Sequence, residues 1–452
     1  MDAEKILSIA ENKSGSAEVF LSRANSVSAF VDCGRQNMVI KNSEQGFGIR
    51  VFKDKKVGFA FGTLFDRTGV EETTTRAVNN AKRNRENPAF CFVDGKEKGF
   101  DDVDKKILNA DEETITTTAL EFTKTIEDQD GLQVPLASFK FSVVEYEIAN
   151  SSNTRKKGQG TFFDAEPYVI AKEGGKRAET INRKTYRSFE ENAVEELACE
   201  SAELSKNSLH AKQLKTGKHD CIFHPGEFAT LFDETYGYML TAKAKYDNLA
   251  LFAEGEQCAS EEITVRDSIT EKGTSASFAC DQEGAFRKPL FLIDKGIFAT
   301  PASDAFTAGL LETTPTANGR RSCTDHEHWY SCNVSCGLNN CVFEPGNRSF
   351  DELVQDTKKG VFVARTAYPL ADEVSGRFTN EIRSGFYIEN GEVKHPVKST
   401  VVNGSVYDLL SKQLIGASRE REVVSTNSYA FSTGAVAPYL KFKDVLFAGA
   451  TT

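Results

Sequence analysis

Residues 46–63 read GFGIRVFKDKKVGFAFGT. On both sides of Asp54-Lys55 the apolar residues recur at every second position: Phe47, Ile49 and Val51, then Val57, Phe59 and Phe61. Successive side chains of a strand point to opposite faces, so a period of two marks half-buried strands, and the polar dipeptide between them reads as a turn. The same period runs upstream through AEVFLSR, SVSAFVDC and QNMVIKN, interrupted at Ala24-Asn25, Gly34-Arg35 and Glu44-Gln45. The spacing predicts an antiparallel meander of five short strands. A short helix is expected over Asp2–Asn12, ended by Ser14-Gly15, and a second over residues 73–85 (TTTRAVNNAKRNR), covering one face of the meander.

Beyond the meander, KEKGFDDVDKK (96–106) reads as a charged linker. A helix is expected near Glu112–Glu127, then long strands (SFKFSVVEYEIANS, GTFFDAEPYVIAKE, RAETINRKTYRS), then a helix over Glu190–Ser205. NSLHAKQLKTGKHD (207–220) is a second boundary. From Cys221 onward strands outnumber helices, and Glu389-Asn390-Gly391-Glu392 has hairpin-turn chemistry. The expected class is α+β: an N-terminal α+β domain at 1–95 built on the meander, a middle α+β unit at 107–206, and a larger β-rich C-terminal domain at 221–452.

Composition narrows the function classes. The chain has 452 residues, 39% hydrophobic and 27% charged, with 55 basic against 66 acidic side chains and a net charge of −11. An acidic chain without a basic tract is poorly suited to a phosphate backbone, so no nucleic-acid partner is expected. The opening MDAEKILSIAENKSGS lacks a basic-then-apolar leader, and no apolar run approaches 18 residues. The expectation is a cytoplasmic protein without a membrane partner, whose ten cysteines are mostly reduced. Neither a phosphate-binding loop nor a dinucleotide fingerprint is present.

HPGEFATLFDETYGY (224–238) opens the third unit. Pro225 suits a first helical turn, where its missing N–H costs nothing. Phe228, Leu231, Phe232, Thr235 and Met239 fall at i, i+3, i+4, i+7 and i+11, a core-facing stripe that leaves Asp233 and Glu234 on the polar side.

Taken together with the 46–63 hairpin, this helix, DQEG (281–284), LIDKGIF (292–298), NGRR (318–321), FDELVQDTKKGVFV, SGRF (375–378) and YIENGEVKHPVK (387–398), the chain resembles the TldD/PmbA family of zinc metallopeptidases over nearly its whole length. In the TldD-type subunits of that family a helix carries His-Glu-x-x-x-His, and a cysteine near the C-terminus completes the site. The histidines hold zinc and the glutamate serves as general base. Here Asp233 stands at the first histidine, Glu234 keeps the glutamate, Gly237 keeps a glycine and Tyr238 replaces the second histidine; the last cysteine of the chain is Cys341. The resemblance therefore implies a TldE/PmbA-type subunit with no catalytic residues and no zinc in its family site. It further implies a TldD-type partner that carries the zinc, in a heterodimer or larger ring-like assembly, and unfolded peptide as substrate. The rival expectation is an active peptidase with a rearranged site built from Asp233, Glu234 and His224.

SCTDHEHWYSCNVSCGLNNC (322–341) gathers Cys323, His326, His328, Cys332, Cys336 and Cys341. Thiols and imidazoles this dense can satisfy a tetrahedral structural zinc or an iron–sulfur site, which would make the chain a metal-stapled scaffold. The other readings are buried thiols in a Cys-rich loop or a redox-sensitive disulfide. Arg320 and Arg321 are expected to form surface salt bridges, with a peptide carboxylate as the functional alternative. Trp329 reads as packing, Asp281 and Glu283 as part of a turn with acid–base work as the alternative, and His395 as a strand-end residue.

Overall fold

The computed structural model describes residues 1–95, 103–190, 192–269, 271, 274–323, 325–426 and 433–449. Most of the 96–106 linker lies outside these residues. Among the described residues the strands form a seven-stranded sheet, a twelve-stranded sheet and a two-stranded ribbon. The class is α+β, as the sequence predicts.

The N-terminal meander has three long strands where the sequence pattern predicts five. Ala17–Asp32 and Arg35–Lys53 each run unbroken, and Lys56–Gly62 follows. Turns occur where backbone φ is positive, at Cys33-Gly34 (51° and 72°) and at Asp54-Lys55 (51° and 60°). Ala24-Asn25 and Glu44-Gln45 instead remain in the ladder, paired with each other's strand as Ala24↔Glu44 and Asn25↔Ser43. Polar residues in mid-strand mimic turn signals, but Ala24-Asn25 has strands on both sides to satisfy its backbone groups, and Glu44-Gln45 is held in the ladder by Ala17–Asp32.

Ala17–Asp32 pairs on its other side with Leu132–Asn150, which continues to Arg155–Glu173 and Lys176–Ile181. The units expected at 1–95 and 107–206 thus contribute strands to one continuous antiparallel sheet. Helices Ala3–Ser14 and Arg67–Ala81 cover one end of it, and Glu112–Glu127 and Ala193–Leu209 the other. The observed helices overlap all four predicted spans, with ends displaced by up to several residues, except Glu112–Glu127, which matches at both ends.

The C-terminal half is built on Gly434–Gly449. This strand pairs antiparallel with Gly217–Phe223 and Leu414–Ser425 and parallel with Asn340–Phe343. Helix Pro225–Met239 packs over it. Phe228, Leu231, Phe232, Thr235, Tyr236 and Met239 are all buried there. Burial of each large apolar side chain contributes roughly 1.5–3 kcal/mol, enough to fix the helix without help from propensity. The predicted turn at Asn390-Gly391 forms with φ of 52° and 78°, closing the hairpin of Arg377–Glu389 and Glu392–Lys398.

The halves meet through buried charge. Arg50 and Glu18, on adjacent strands of the first sheet, are joined at 2.8 Å. Arg50 also contacts Glu283 of the DQEG turn at 2.6 Å, an ion pair whose N–H is poorly aligned on the oxygen. Arg321 of NGRR reaches Glu18 at 3.1 Å. All four side chains are almost fully excluded from solvent. Burial drives the Glu18 carboxyl up and the Arg321 guanidinium down, while the opposite charges beside them act the other way. Beside this array, Gly46 and Gly48 leave room for Tyr330: a Cβ at Gly46 would lie 2.3 Å from its ring, and one at Gly48 2.6 Å from its carbonyl oxygen. The Tyr330 hydroxyl donates to Glu44 at 2.6 Å.

Removing one member of a buried ion array leaves a charge without its partner, which typically costs roughly 3–5 kcal/mol. Arg50→Ala is expected to lower unfolding stability by about that much in denaturant titrations. A loss below about 1 kcal/mol, the range of solvated surface pairs, would show that water reaches the array.

Candidate functional site

His224 is the N-cap of helix Pro225–Met239, which carries Asp233, Glu234 and Tyr238. Its Nδ1 accepts from the Gly226 N–H at 3.1 Å, capping the helix, and its Nε2 faces Glu422 at 3.2 Å. Both ring nitrogens are therefore engaged, and the cap fixes the tautomer with the proton on Nε2. Burial alone would raise the Glu422 carboxyl; the His224 contact and the Tyr439 hydroxyl outweigh it and hold it at about 2. Glu227, one turn further on, is buried and accepts from the Thr366 N–H and hydroxyl at 2.8 and 2.7 Å.

Asp233 is partly buried. Its Oδ2 accepts from the hydroxyls of Thr426 and Thr433 at 3.0 and 2.7 Å. Burial pushes its carboxyl up, against the charge of nearby Arg320 and these two hydrogen bonds. Tyr238 has different neighbours. Its hydroxyl donates to Asp247 at 2.8 Å, and Lys243 pairs with the same carboxylate. Positions five apart on a helix differ by about 140° in direction, so the two side chains diverge. Glu234 lies between them, half-buried. Burial first, and the charges of Asp233 and Glu373 second, raise its carboxyl to about 7.

Behind Asp233, Arg320 extends from the ribbon strand Gly319–Arg321 and donates to the Leu338 carbonyl at 2.5 Å. Buried Asp267 organises the neighbouring loops. It pairs with Arg287 at 2.8 Å and accepts from the Asn318 side chain at 2.6 Å and from the backbone N–H groups of Asn339 and Asn340 at 3.0 Å. The two family-like motifs interlock. Asp281 accepts from the N–H groups of Glu283, Ala285 and Gly319 at 3.0, 2.8 and 2.9 Å, and the Gln282 side chain accepts from the Arg321 N–H. Asp281 and Glu283 are thus in a turn closed by Gly284 at φ +88°, with their oxygens committed to holding the fold. Arg321 is buried in the array between the halves, not on the surface as its sequence context suggests.

A cavity of about 300 Å³ lies between the outer face of the first sheet and this scaffold. Lys140 and Asp164 line it from the sheet, Arg320 and Thr426 from the C-terminal half, and Asp325 and His326 from the loop after NGRR. Charges of both signs alternate around it with aromatic surface from Phe278 and Trp329. His326 stacks on Phe162 at 3.7 Å, and burial depresses its imidazole to about 4.

The Cys/His set does not converge. Cys323 and Cys332 form a disulfide. His328 bonds Asp325 at 2.7 Å, and the Cys336 thiol donates to the Ala302 carbonyl at 3.0 Å. Cys341 is buried in the strand beside Asp267, where burial raises its thiol. Among the described residues no three His, Cys, Asp or Glu side chains are grouped to hold a metal ion. His395 stacks on Tyr387 across a hairpin, and Trp329 packs against Phe20, Tyr146 and Phe162.

The family model described as the PmbA/TldA metallopeptidase C-terminal domain matches residues 216–449, and that for domain 1 matches residues 17–81. The chain belongs to the PmbA/TldD metallopeptidase family. It is 26% identical over 386 residues to a metalloprotease of Methanocaldococcus jannaschii, covering 82% of this chain and 84% of the relative. It is 22% identical over 416 residues to the metalloprotease PmbA of Escherichia coli O157:H7, covering 89% and 87%. Its fold is that of TldE from Thermococcus kodakarensis, with a TM-score of 0.84, 22% identity and 99% of each chain covered. The zinc that the TldD-type motif implies does not fit the side chains found here. Tyr238 is a neutral donor already spent on Asp247, and the Asp233 carboxylate is taken up as acceptor by the hydroxyls of Thr426 and Thr433.

Asp267, Arg287, Thr426 and Thr433 were not visible as site residues in the sequence. Each is an ordinary residue type outside any motif, and only the fold brings them to the helix.

Glu234 offers a pH test. Its folded carboxyl titrates at about 7 against an ordinary 4.5. Between these values the unfolded chain has lost the proton and the folded chain keeps it, so stability falls as pH rises through this window. Glu234→Gln is expected to raise the melting temperature above pH 7 and to leave it little changed at pH 4. An equal shift at both pH values would contradict the assignment.

Proposed function

We propose that this chain is the non-catalytic, TldE/PmbA-like subunit of a cytoplasmic TldD/TldE-type metallopeptidase that degrades unfolded peptides. A TldD-type partner would hold the zinc, in a heterodimer or larger ring-like assembly. One observation carries the reading: Asp233 and Tyr238, at the positions of the two zinc histidines, are bound to separate partners, the first to Thr426 and Thr433 and the second to Asp247. This chain would supply walls of the chamber and strand edges along which extended peptide hydrogen-bonds through its main chain, a mode tolerant of sequence. The cavity between the halves, with mixed charges and aromatic surface, suits such contacts.

Glu234 favours the second reading, an active peptidase with a rearranged site, because a carboxyl held near pH 7 is suited to proton transfer. His224 does not support it, since both its nitrogens are engaged elsewhere.

The two separate in one experiment. The chain purified alone is expected to contain far less than stoichiometric zinc by elemental analysis and to leave unfolded casein intact. Mixed with a TldD-type chain carrying the intact motif, it is expected to co-elute with that chain and raise its peptidase rate. Stoichiometric zinc and casein cleavage by the isolated chain, both lost in an Asp233→Ala, Glu234→Ala variant, would overturn the proposal.

A further inference from the structure

The Cys323–Cys332 disulfide is the part of the Cys-rich segment that the family reading leaves unused. It closes the base of a loop. The ribbon strands Gly319–Arg321 and Val334–Cys336 pair antiparallel, with Arg321 opposite Val334, and the disulfide lies just beyond that last pair, its Cα atoms 5.9 Å apart. The residues inside the loop reach across to the first sheet. Glu327 takes hydrogen bonds from Asn42 at 3.1 Å and Lys140 at 3.3 Å. Tyr330 binds Glu44 in the groove left by Gly46 and Gly48, and Trp329 fills an aromatic cluster with Phe20, Tyr146 and Phe162. Cys323, Asp325, His326 and Trp329 also form one wall of the cavity. Both sulfur-bearing residues are partly exposed, whereas Cys221, Cys258, Cys280 and Cys341 are buried.

We propose that Cys323 and Cys332 form a reversible thiol–disulfide site whose state sets how firmly this loop grips the N-terminal sheet and the cavity wall. A cross-link at the base of a loop removes conformations that the open chain would otherwise sample, so the contacts at its tip are held more firmly when it is closed. Partial exposure gives a small thiol or disulfide access to the sulfurs. Closure by a small-molecule disulfide such as glutathione disulfide balances: one protein thiolate attacks it and releases one thiol, the second protein thiolate then displaces the other from the mixed disulfide, and two electrons and two protons pass to the two released thiols. A dithiol reductant reverses both steps.

The chain has a single tryptophan, and it is in this loop. Full-length protein treated with glutathione disulfide and then denatured without reductant is expected to show Cys323 and Cys332 joined to each other, free of glutathione and closed to alkylation, with all ten cysteines alkylated after reduction. In the native state, reduction is expected to raise acrylamide quenching of Trp329 at least about twofold, as a locally loosened segment admits the quencher. Cys323→Ser with Cys332→Ser should quench like the reduced protein in either redox buffer; the wild-type comparison stands without it should that variant fold poorly. Alkylation or glutathionylation of Cys323 and Cys332 after oxidation, or an oxidised pair with unchanged Trp329 quenching, would overturn the proposal.

Discussion

Four buried charges, two from each half of the molecule, hold this fold in one piece. Glu18 and Arg50 come from adjacent strands of the first sheet, Glu283 from the DQEG turn and Arg321 from the ribbon strand Gly319–Arg321. Taking such groups out of water is costly, so the arrangement is stable only when every charge has a counter-charge at contact distance. That requirement fixes the relative position of the halves more tightly than apolar packing would, because apolar surfaces can slide and point charges cannot. The rest follows from it. The DQEG turn and the NGRR strand must lie side by side to present Glu283 and Arg321 together, and the cavity is the space left between the sheet and those segments.

Much of this was legible in the sequence, for definite reasons. The apolar stripe of Phe228, Leu231, Phe232 and Met239 announced its helix because helical periodicity is a local property. The Asn390-Gly391 turn was readable because few residues tolerate positive φ. The five-strand reading of the meander failed for a non-local reason: whether Ala24-Asn25 turns or continues depends on the strands beside it, from residues 35–53 and 132–150. The burial of Arg321 was hidden in the same way, since its partner Glu18 is 303 residues away.

On the helix at 225–239 polar side chains find partners inside the chain. The carboxylate of Asp233 is a strong acceptor, and two hydroxyls donate to it. A tyrosine at 238 is a donor, and it meets a carboxylate. Both side chains are matched by partners of complementary polarity. The core stripe on its other face packs apart from these contacts.

Each half brings one carboxylate and one guanidinium to the shared array, and this bears on how the chain is made. During synthesis Glu18 and Arg50 leave the ribosome long before Arg321, a delay of roughly 15–60 s at typical elongation rates of about 5–20 residues per second. In that interval they already neutralise each other on the surface of the growing sheet. The nascent N-terminal unit therefore waits with a mixed docking face, in which a neutralised ion pair sits beside the rings of Phe20, Tyr146 and Phe162 that the C-terminal half later covers.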